Sequence, residues 1–250
     1  MAILEQYSPT GDNRWDKKKI KKATQKLFDE IYEYSNRLYA ESEQSVLLVL
    51  QGMDASGKDG LTRKLFQQTS PAWVNVHSFK KPNNKEMAQD YLWRIHQRTP
   101  AKGLITVFNR SYYEDILVPS VYGFIKPEII EQRYEQINHF EKHLEENGTK
   151  IVKCYLNLSY EKQHEKLRER IENPAKNWKH SDGDWETRKH WHKFMDVYET
   201  LFERCNTVPW HIIPCDHNWT KEYAAAKILV ETLKQMDPQF PKAELSLEKY

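Results

Sequence analysis

The sequence predicts an α/β protein with about five parallel strands. Short apolar segments of strand length alternate with segments of helical periodicity, which implies right-handed crossovers and a mainly parallel sheet covered on both faces. In addition, three of the eight glycines fall within nine residues, directly after the first of these strands. Such crowding indicates a loop whose backbone must come close to something, because glycine is the residue that permits this.

The elements follow in order along the chain. Residues 16–40 carry apolar side chains at alternating spacings of four and three, which is the stripe of an amphipathic helix. Its lysine run, residues 17–22, allows two interpretations, an anion-binding patch or only the solvated face of the helix. Strands are predicted at 46–50, 74–79, 104–108, 151–156 and 210–213. Helical patterning is found at 61–68, 86–97, 128–145, 160–171 and 185–202.

Composition excludes several classes of protein. The 250 residues, 39% of them hydrophobic, suit a single domain spanning 1–250. A formal net charge of +2 creates no global field for a nucleic acid. The longest aliphatic run is far shorter than the roughly 20 residues of a membrane span, and the first ten residues lack a signal pattern. We therefore expect a cytoplasmic protein without nucleic-acid or membrane partners. Three scattered cysteines predict reduced, buried thiols.

A phosphate-binding loop follows the first predicted strand, in the stretch GMDASGKDG. Gly52, four residues, Gly57 and Lys58 stand between a strand and a helix, which is the context that such a loop requires. Backbone N–H groups and the helix N-terminus would hold phosphate oxygens, and Lys58 would reach them. Gly60 would let the helix begin close to the strand, and an ordinary turn is the alternative for the whole loop. The predicted phosphate-binding residues are Gly52, Ala55, Ser56, Gly57, Lys58 and Asp59.

Two acids distinguish this loop. Asp59 stands where most nucleotide kinases have the Ser or Thr that holds Mg²⁺, and Asp54 lies inside the loop. Two carboxylates would repel phosphate unless a divalent cation bridges them, so we expect Asp54 to face Mg²⁺. For Asp59 two interpretations stay open: a metal ligand, or an acid that complements the helix dipole.

The third predicted strand runs into the polar stretch NRSYYED. Residues beyond the carboxyl ends of strands line the ligand crevice in doubly wound folds, so Asn109, Arg110, Glu114 and Asp115 should lie near the loop. Asn109 stands where an Asp commonly ends this strand. Arg110 is placed to balance charge on a transferring phosphoryl group, and a structural salt bridge is the alternative.

Four stretches together resemble the polyphosphate kinase family 2: GMDASGKDG, SFKKP with DYLWRIHQRTPAKG, VFNRSYYEDILV, and ERIENPAKNWKHSDGD. They occur in the family's order and spacing, and the resemblance covers residues 38–232. It implies a P-loop three-layer α/β/α sandwich with a helical lid at 160–195. It also implies reversible transfer of the terminal phosphoryl group between inorganic polyphosphate and nucleotides, with Mg²⁺. The form of the VFNRSYYEDILV stretch resembles the branch that accepts both AMP and ADP; guanine nucleotides stay open.

The resemblance also implies roles for individual residues. Asp54 and Glu114 would be the catalytic acids and the Mg²⁺ ligands, and Lys58 and Arg110 the catalytic cations. Lys80 would contact polyphosphate. The resemblance further implies a homodimer or a homotetramer.

In the lid, Lys166 and Arg170 correspond to two basic residues of the family and lie on one helix face. Lys166 replaces an arginine, so bidentate phosphate contact is lost there. Asn109 joins these two as a nucleotide-side residue. The alternative for the lid pair is exposed ion pairing with Glu161, Glu165 or Glu169. Residues 173–193 are predicted to form a mobile helical segment. Its tryptophans would either stack on a base or pack the lid against the body of the protein: Trp178, Trp185 and Trp191.

Two other functions stay open from the sequence. An ATP-dependent nucleoside monophosphate kinase would have the same fold, and Asp59 in place of Ser or Thr counts against it. A non-enzymatic nucleotide-binding scaffold is the second alternative. A guanine switch is disfavoured, because the NKxD pattern of base recognition is absent where Asn84-Lys85 continues as Glu86-Met87.

Overall fold

Five strands form one parallel sheet in the computed structural model, which describes residues 2–242. The strand order is β2-β3-β1-β4-β5, and each neighbouring pair is parallel. The bounds are β1 Ser45–Gln51, β2 Val74–Ser78, β3 Ile105–Asn109, β4 Thr149–Asn157 and β5 Trp210–Pro214. All five predicted strands are confirmed, because each apolar run lies in the sheet.

Helices connect the strands and cover both faces of the sheet. In the first half of the chain these are α1 Lys17–Glu41, α2 Lys58–Leu65, α3 Asn84–Met87, α4 Trp93–His96 and α5 Glu114–Tyr122. In the second half they are α6 Pro127–Glu146, α7 Tyr160–Glu172, α8 Asp182–Lys189, α9 Trp191–Arg204 and α10 Asn218–Met236. Short 3₁₀ helices occupy Leu4–Gln6 and Pro174–Lys179.

The first helix illustrates how local sequence sets its bounds. The Asp16 side chain accepts a hydrogen bond from the Lys19 N–H at 2.8 Å, which satisfies one of the unpaired N–H groups at the start of α1. Ser42 adopts the left-handed conformation directly after the helix and ends it. The predicted stripe is confirmed, since Thr24, Ile31 and Leu38 are buried.

Several helix predictions were wrong. The predicted helix at 86–97 is two single turns, α3 and α4, and the one at 185–202 is two helices, α8 and α9, broken at His190. Neither α5 nor α10 was predicted. In neither sequence do apolar residues stand out at helical spacing. The helix α5 is largely apolar and contains Pro119, and α10 is buried on several sides against α1, α2 and β5.

The core lies in two layers, one on each face of the sheet. Along β1 the side chains alternate, so that Leu47 and Val49 belong to one layer while Val46, Leu48 and Leu50 belong to the other. The first layer packs under α5, α6 and α9, and the second under α1, α2 and α10. The three-layer α/β/α architecture is thereby confirmed.

A buried ion pair joins α6 to the sheet. Lys153 Nζ lies 2.8 Å from Glu141 Oε2, and both side chains are fully buried. The hydroxyls of Tyr112 and Tyr113 donate to Glu141 Oε1 at 2.8 and 2.6 Å. Burial raises the pKa of Glu141 and lowers that of Lys153, while their mutual attraction opposes both changes. The two tyrosines thus anchor the NRSYYED stretch to the core. This anchoring places Arg110 and Glu114 at the edge of the sheet where the strands have their carboxyl ends.

The remaining predictions from composition concern thiols and membranes. The three cysteines are buried and unpaired, as predicted. No helix within residues 2–242 combines the length and the apolar composition that crossing a bilayer demands. From its sequence, the segment 237–250 is predicted to be a loosely held tail. Residues 243–250 of it lie outside the described residues.

Candidate active site

The loop at residues 52–57 connects β1 to α2 and has a constrained backbone. Gly52 has φ +143°, and a Cβ there would lie 2.9 Å from the Leu156 carbonyl oxygen of β4. Gly57 has φ +86° and caps α2. Ala55 also takes a left-handed conformation, with φ +66°, which is uncommon without glycine and typical of functional loops. The expectation for Gly60 was wrong, because a Cβ there would meet nothing within 4 Å.

Lys58 lies inside the loop that it follows. Its Nζ donates to the carbonyl oxygen of Gly52 at 2.7 Å and to that of Met53 at 3.3 Å. The side chain is buried, and this burial, followed by the charge of Arg110, lowers the pKa of Lys58. An anion in the loop would therefore be met by a cation that little water surrounds, which strengthens the attraction.

Three charged side chains converge beside the loop. Arg110 follows β3 directly, has φ +62°, and forms a salt bridge with Asp54 Oδ1. Its Nη1 lies 3.9 Å from Glu114 Oε2. Glu114 and Asp54 raise the pKa of Arg110, although burial opposes them. The structure thus brings together Asp54, Lys58, Arg110 and Glu114, which the sequence analysis had grouped.

Gln51 positions Glu114 and was missed by the sequence analysis. As the last residue of β1 it is fully buried, and its Nε2 donates to Glu114 Oε1 at 3.1 Å. Its Oε1 accepts from the Ser111 hydroxyl at 3.3 Å. A polar residue at the end of an otherwise apolar strand, just before the loop, is the signal that could have identified it.

Asn109 and Asp59 contact each other across the loop. The Asn109 side-chain amide donates to Asp59 Oδ1, which ties the end of β3 to the first turn of α2. Asp59 therefore holds a neighbouring element and also lies where an acid suits the positive end of the helix dipole.

Asp115 does not join this group. Its carboxylate lies 3.6 Å from Arg94 Nη2, and burial raises its pKa. Arg94 Nη1 in turn donates to the Lys80 carbonyl oxygen at 2.8 Å. The exposed Lys80 side chain comes two residues after β2, next to the end of β3.

The predicted lid region contacts the loop through α7 and α8. Gln163 Nε2 donates to the Asp54 carbonyl oxygen at 3.0 Å. Arg188 Nη1 donates to Gln163 Oε1 at 2.9 Å and to the Tyr160 carbonyl oxygen at 2.7 Å, and its guanidinium lies over the Tyr160 ring. Sequence reasoning missed Gln163 and Arg188, because their role depends on how the two helices pack.

The contacts of Lys166 and Arg170 differ from the predicted alternative, which was ion pairing with glutamates of their own helix. Arg170 forms a salt bridge with Asp184 of α8, rather than with the three glutamates of its own helix that were considered. Burial, and then the nearby Asp54 carboxylate, raises the pKa of Asp184. Lys166 has no carboxylate partner within residues 2–242, and burial lowers its pKa. Both basic residues thus lie on the part of α7 that follows Gln163.

Lys221 is a further cation at the loop that no motif indicated. It lies in the first turn of α10 and is 3% exposed. Its Nζ donates to the Ser56 carbonyl oxygen at 3.2 Å and lies 2.5 Å from where a Cβ on Gly57 would be. Cys215 Sγ donates to the same Ser56 oxygen at 2.8 Å. Because α10 was not predicted, its approach to the loop could not be foreseen.

The lid tryptophans have different surroundings. Trp191 is buried, with its ring centroid 5.3 Å from that of Tyr160, and Trp185 packs edge-on against His164. Trp178 is 79% exposed. Trp191 also belongs to the core layer that packs under α5, α6 and α9, which favours the pinning role among the two considered for these residues.

The donor set at the loop suits a hard divalent cation. Asp54 and Glu114 offer carboxylate oxygens on either side of Arg110. Among residues 2–242 no cluster of three or more His, Cys, Asp or Glu side chains could hold a metal ion alone. Mg²⁺ in kinases is commonly held by one or two carboxylates together with substrate phosphates and water, so two acids fit this chemistry.

Comparisons with known proteins agree on one family. A family model described as polyphosphate kinase 2 matches residues 14–241. The AMP/ADP-polyphosphate phosphotransferase of Meiothermus ruber is 43% identical over 214 residues, covering 85% of this chain and 80% of that protein. The ADP-polyphosphate phosphotransferase of Rhodopseudomonas palustris is 36% identical over 222 residues, covering 82% and 75%. The crystal structure of polyphosphate kinase 2 from Arthrobacter aurescens TC1 matches with a TM-score of 0.92 and 35% identity, covering 97% and 87%.

Proposed function

The chain belongs to the polyphosphate kinase 2 family, and we propose that it transfers the terminal phosphoryl group of inorganic polyphosphate to AMP and ADP. It is a phosphotransferase that uses polyphosphate and nucleotides. The identity of the acceptors rests on the relatives named above and on the VFNRSYYEDILV stretch.

The convergence of Asp54, Lys58, Arg110 and Glu114 around one loop carries this proposal. Lys58 and Arg110 can offset the negative charge of the transferring phosphoryl group. Asp54 and Glu114 can hold a metal ion beside that group. The acids at the loop distinguish this arrangement from a loop that relies on a Ser or Thr for its metal.

The reaction needs positioning more than proton transfer. An oxygen of the acceptor phosphate attacks the terminal phosphorus of polyphosphate in line, and the bridging P–O bond breaks. The shortened polyphosphate leaves with the electron pair. Because a phosphate acceptor is already anionic at neutral pH, no strong general base is required. Lys58, Arg110 and the loop N–H groups stabilise the charge that spreads over the transferring group.

Mg²⁺ is the metal that we propose for this site. When bound, the ion would neutralise part of the negative charge on the donor and acceptor phosphates, which otherwise repel each other. Asp54 and Glu114 would hold it. Gln51 fixes the orientation of Glu114. The positive charge of Arg110, which contacts both carboxylates, reduces the repulsion between them.

The other residues act on the two substrates. We assign Lys80 and the loop residues at 52–59 to polyphosphate. Asn109, Lys166 and Arg170 are assigned to the nucleotide side. The region at 160–195 would work as a lid on a single domain spanning 1–250, since its link from Arg188 through Gln163 ends on the Asp54 carbonyl oxygen.

A donor exchange tests the function. Purified protein is incubated with Mg²⁺ and AMP or ADP, first with polyphosphate and then with ATP as donor, and the nucleotides are separated by chromatography. We expect ADP and ATP to form with polyphosphate. Product formed only from AMP and ATP would instead identify a nucleoside monophosphate kinase. Nucleotide binding without any product would identify a scaffold. Guanine nucleotides as acceptors, in the same assay, define base preference.

Substitution tests the loop directly. Lys58→Ala and Asp54→Ala are each expected to abolish ATP formation from ADP and polyphosphate, because the phosphates lose a cation or the metal loses a ligand. Lys227→Ala, an exposed lysine of α10, is the matched control and should retain activity. Near-normal turnover in either loop variant, with an unchanged circular dichroism spectrum, would contradict the assignment.

The assembly and the location of the protein are also proposals. We propose a homodimer or homotetramer, in line with the family resemblance, and a cytoplasmic location, as the composition of the sequence predicts. Sedimentation analysis of the purified chain gives the oligomeric state.

A further inference from the structure

The segment of residues 3–10, here called the strap, crosses the edge of the sheet where β4 and β5 end. The Tyr7 carbonyl oxygen accepts from Nδ2 of Asn157, the last residue of β4, at 2.9 Å. The Pro9 carbonyl oxygen accepts from the two N–H groups that directly follow β5: Cys215 at 2.9 Å and Asp216 at 3.0 Å. The strap lies outside the region 14–241 that the family model matches.

A carboxylate of α9 fastens the start of the strap. Glu199 Oε2 accepts from the Ile3 N–H at 2.6 Å, and Glu199 Oε1 accepts from the Leu4 N–H at 2.8 Å. The side chains of Ile3 and Leu4 pack against the core layer under α5, α6 and α9. Hydrogen bonds to a carboxylate are stronger than those between neutral groups, so Glu199 holds this end of the strap with both oxygens.

The strap thereby reaches both ends of the lid region at 160–195. At its entry, the Asp216 carboxylate accepts from the Ser159 N–H and from the Ser159 hydroxyl, both at 2.8 Å. The Ser159 hydroxyl accepts from the Lys162 N–H at 3.2 Å and caps α7. At its exit, Glu199 lies on α9, which carries the chain away from the lid region. One short segment therefore connects the two places where the lid region joins the body of the protein.

Through α7 the strap is linked to the candidate active site. Gln163 lies one turn after Ser159 and donates to the Asp54 carbonyl oxygen at 3.0 Å. Further along the same helix lie the two basic residues that we assign to the nucleotide side, Lys166 and Arg170. A helix that is held at its first turn and at Gln163 keeps these two side chains in one position relative to the loop.

We propose that Glu199 and Asn157 are positioning residues for the nucleotide, because by holding the strap they hold α7 in the arrangement that binds it. The proposal rests on the function proposed above, since it concerns the lid of the same site. When the strap is released, α7 adopts other arrangements as well. The affinity for the nucleotide then falls in proportion to the fraction of protein in the binding arrangement. Polyphosphate is held by the loop and should be affected little.

The test removes each fastening separately in the full-length protein. Glu199→Ala removes the acceptor at the start of the strap, and Asn157→Ala removes the donor at its middle. Glu199→Gln keeps one acceptor oxygen, and Glu203→Ala, an exposed glutamate one turn further along α9, is the matched control. Hydrogen exchange measured by mass spectrometry follows the strap and the first turn of α7. Isothermal titration calorimetry with Mg²⁺ measures the Kd of ADP and of tripolyphosphate.

We expect both alanine variants to accelerate amide exchange about threefold or more in the strap and in the first turn of α7, because local opening exposes these amides. The Kd of ADP should rise about three- to tenfold, which corresponds to about one third to one tenth of the protein in the binding arrangement. The Kd of tripolyphosphate should change less than about twofold, since the loop keeps its own contacts. Glu199→Gln should lie between Glu199→Ala and the unmodified protein, and Glu203→Ala should match the unmodified protein.

Faster exchange confined to the strap, with an unchanged Kd of ADP, would overturn the proposal and leave Glu199 a purely structural role. An equal rise in the Kd of ADP and of tripolyphosphate would overturn it too, because the effect would then not concern α7. If Glu199→Ala does not fold, Asn157→Ala decides alone, since it leaves Glu199 in place. Absence of any product from polyphosphate in the unmodified protein would instead refute the proposed function. The two failures are distinguishable because exchange and binding do not depend on turnover.

Discussion

Replacing Arg110 by alanine removes the cation that lies between the two carboxylates of the candidate site. At the 3.9 Å separation of Arg110 and Glu114, the attraction between unit charges is about 4 kcal/mol at an effective dielectric constant of about 20. A transferring phosphoryl group at a similar distance would lose about as much, which corresponds to about 10³ in rate. Since the side chain is 40% exposed, water screens this attraction, and a loss near 10³ is expected rather than 10⁵.

The assay is the initial rate of ATP formation from ADP and polyphosphate with saturating Mg²⁺. We expect Arg110→Ala to lower kcat about 10³-fold while the KM for ADP changes little, because the cation acts mainly in the transition state. Alanine adds no backbone strain at φ +62°, since arginine already carries the same penalty. Arg63→Ala, an exposed arginine of α2, is the control and should keep full activity. A loss of less than about tenfold in kcat would mean that Arg110 only holds the carboxylates in place.

Two predictions concern stability. Gly57→Ala forces a left-handed alanine against Lys221 Nζ, so we expect Tm to fall by about 2–8 °C and the KM for polyphosphate to rise. Gly60→Ala is its control, with unchanged or higher Tm in calorimetry; equal losses would refute the role of the left-handed backbone. Lys153→Met leaves Glu141 buried without its partner and should cost about 3–5 kcal/mol in the free energy of unfolding by urea. A cost below about 1 kcal/mol would contradict this account, and adding Glu141→Leu should recover part of the loss.

Local patterns predicted the strands better than the helices. A buried parallel strand is a short apolar run bounded by polar residues, and each such run can be read without knowing its neighbours. A helix is recognised by one apolar face, and that of α10 is widened by further buried residues, among them Thr220, Lys221 and Thr232, because α1, α2 and β5 cover several of its sides. Its absence from the prediction also hid Lys221, which reaches the loop only through that packing.

The candidate site divides in the same way. Asp54, Lys58, Arg110 and Glu114 follow two strands that are neighbours in the sheet. The rule that ligands bind beyond the carboxyl ends of parallel strands, together with the family resemblance, therefore sufficed to group them. The partner of Arg170 could not be inferred, since Asp184 lies 14 residues away in another helix. Asp115, next to Glu114 in sequence, points instead to Arg94. Adjacent helical residues face different directions, so sequence proximity did not indicate a shared site.

By itself the sequence determined the sheet, the phosphate-binding loop and the acids that accompany it, because each depends on residues close together in the chain. Only the tertiary structure decided which side chains from distant elements join the loop. Lys221 of α10 and Gln163 of α7 reach the loop through packing alone, by hydrogen bonds to the carbonyl oxygens of Ser56 and Asp54. Charges that are distant in sequence act together only when packing holds them within the range of electrostatic attraction, which water and salt limit to about 10 Å.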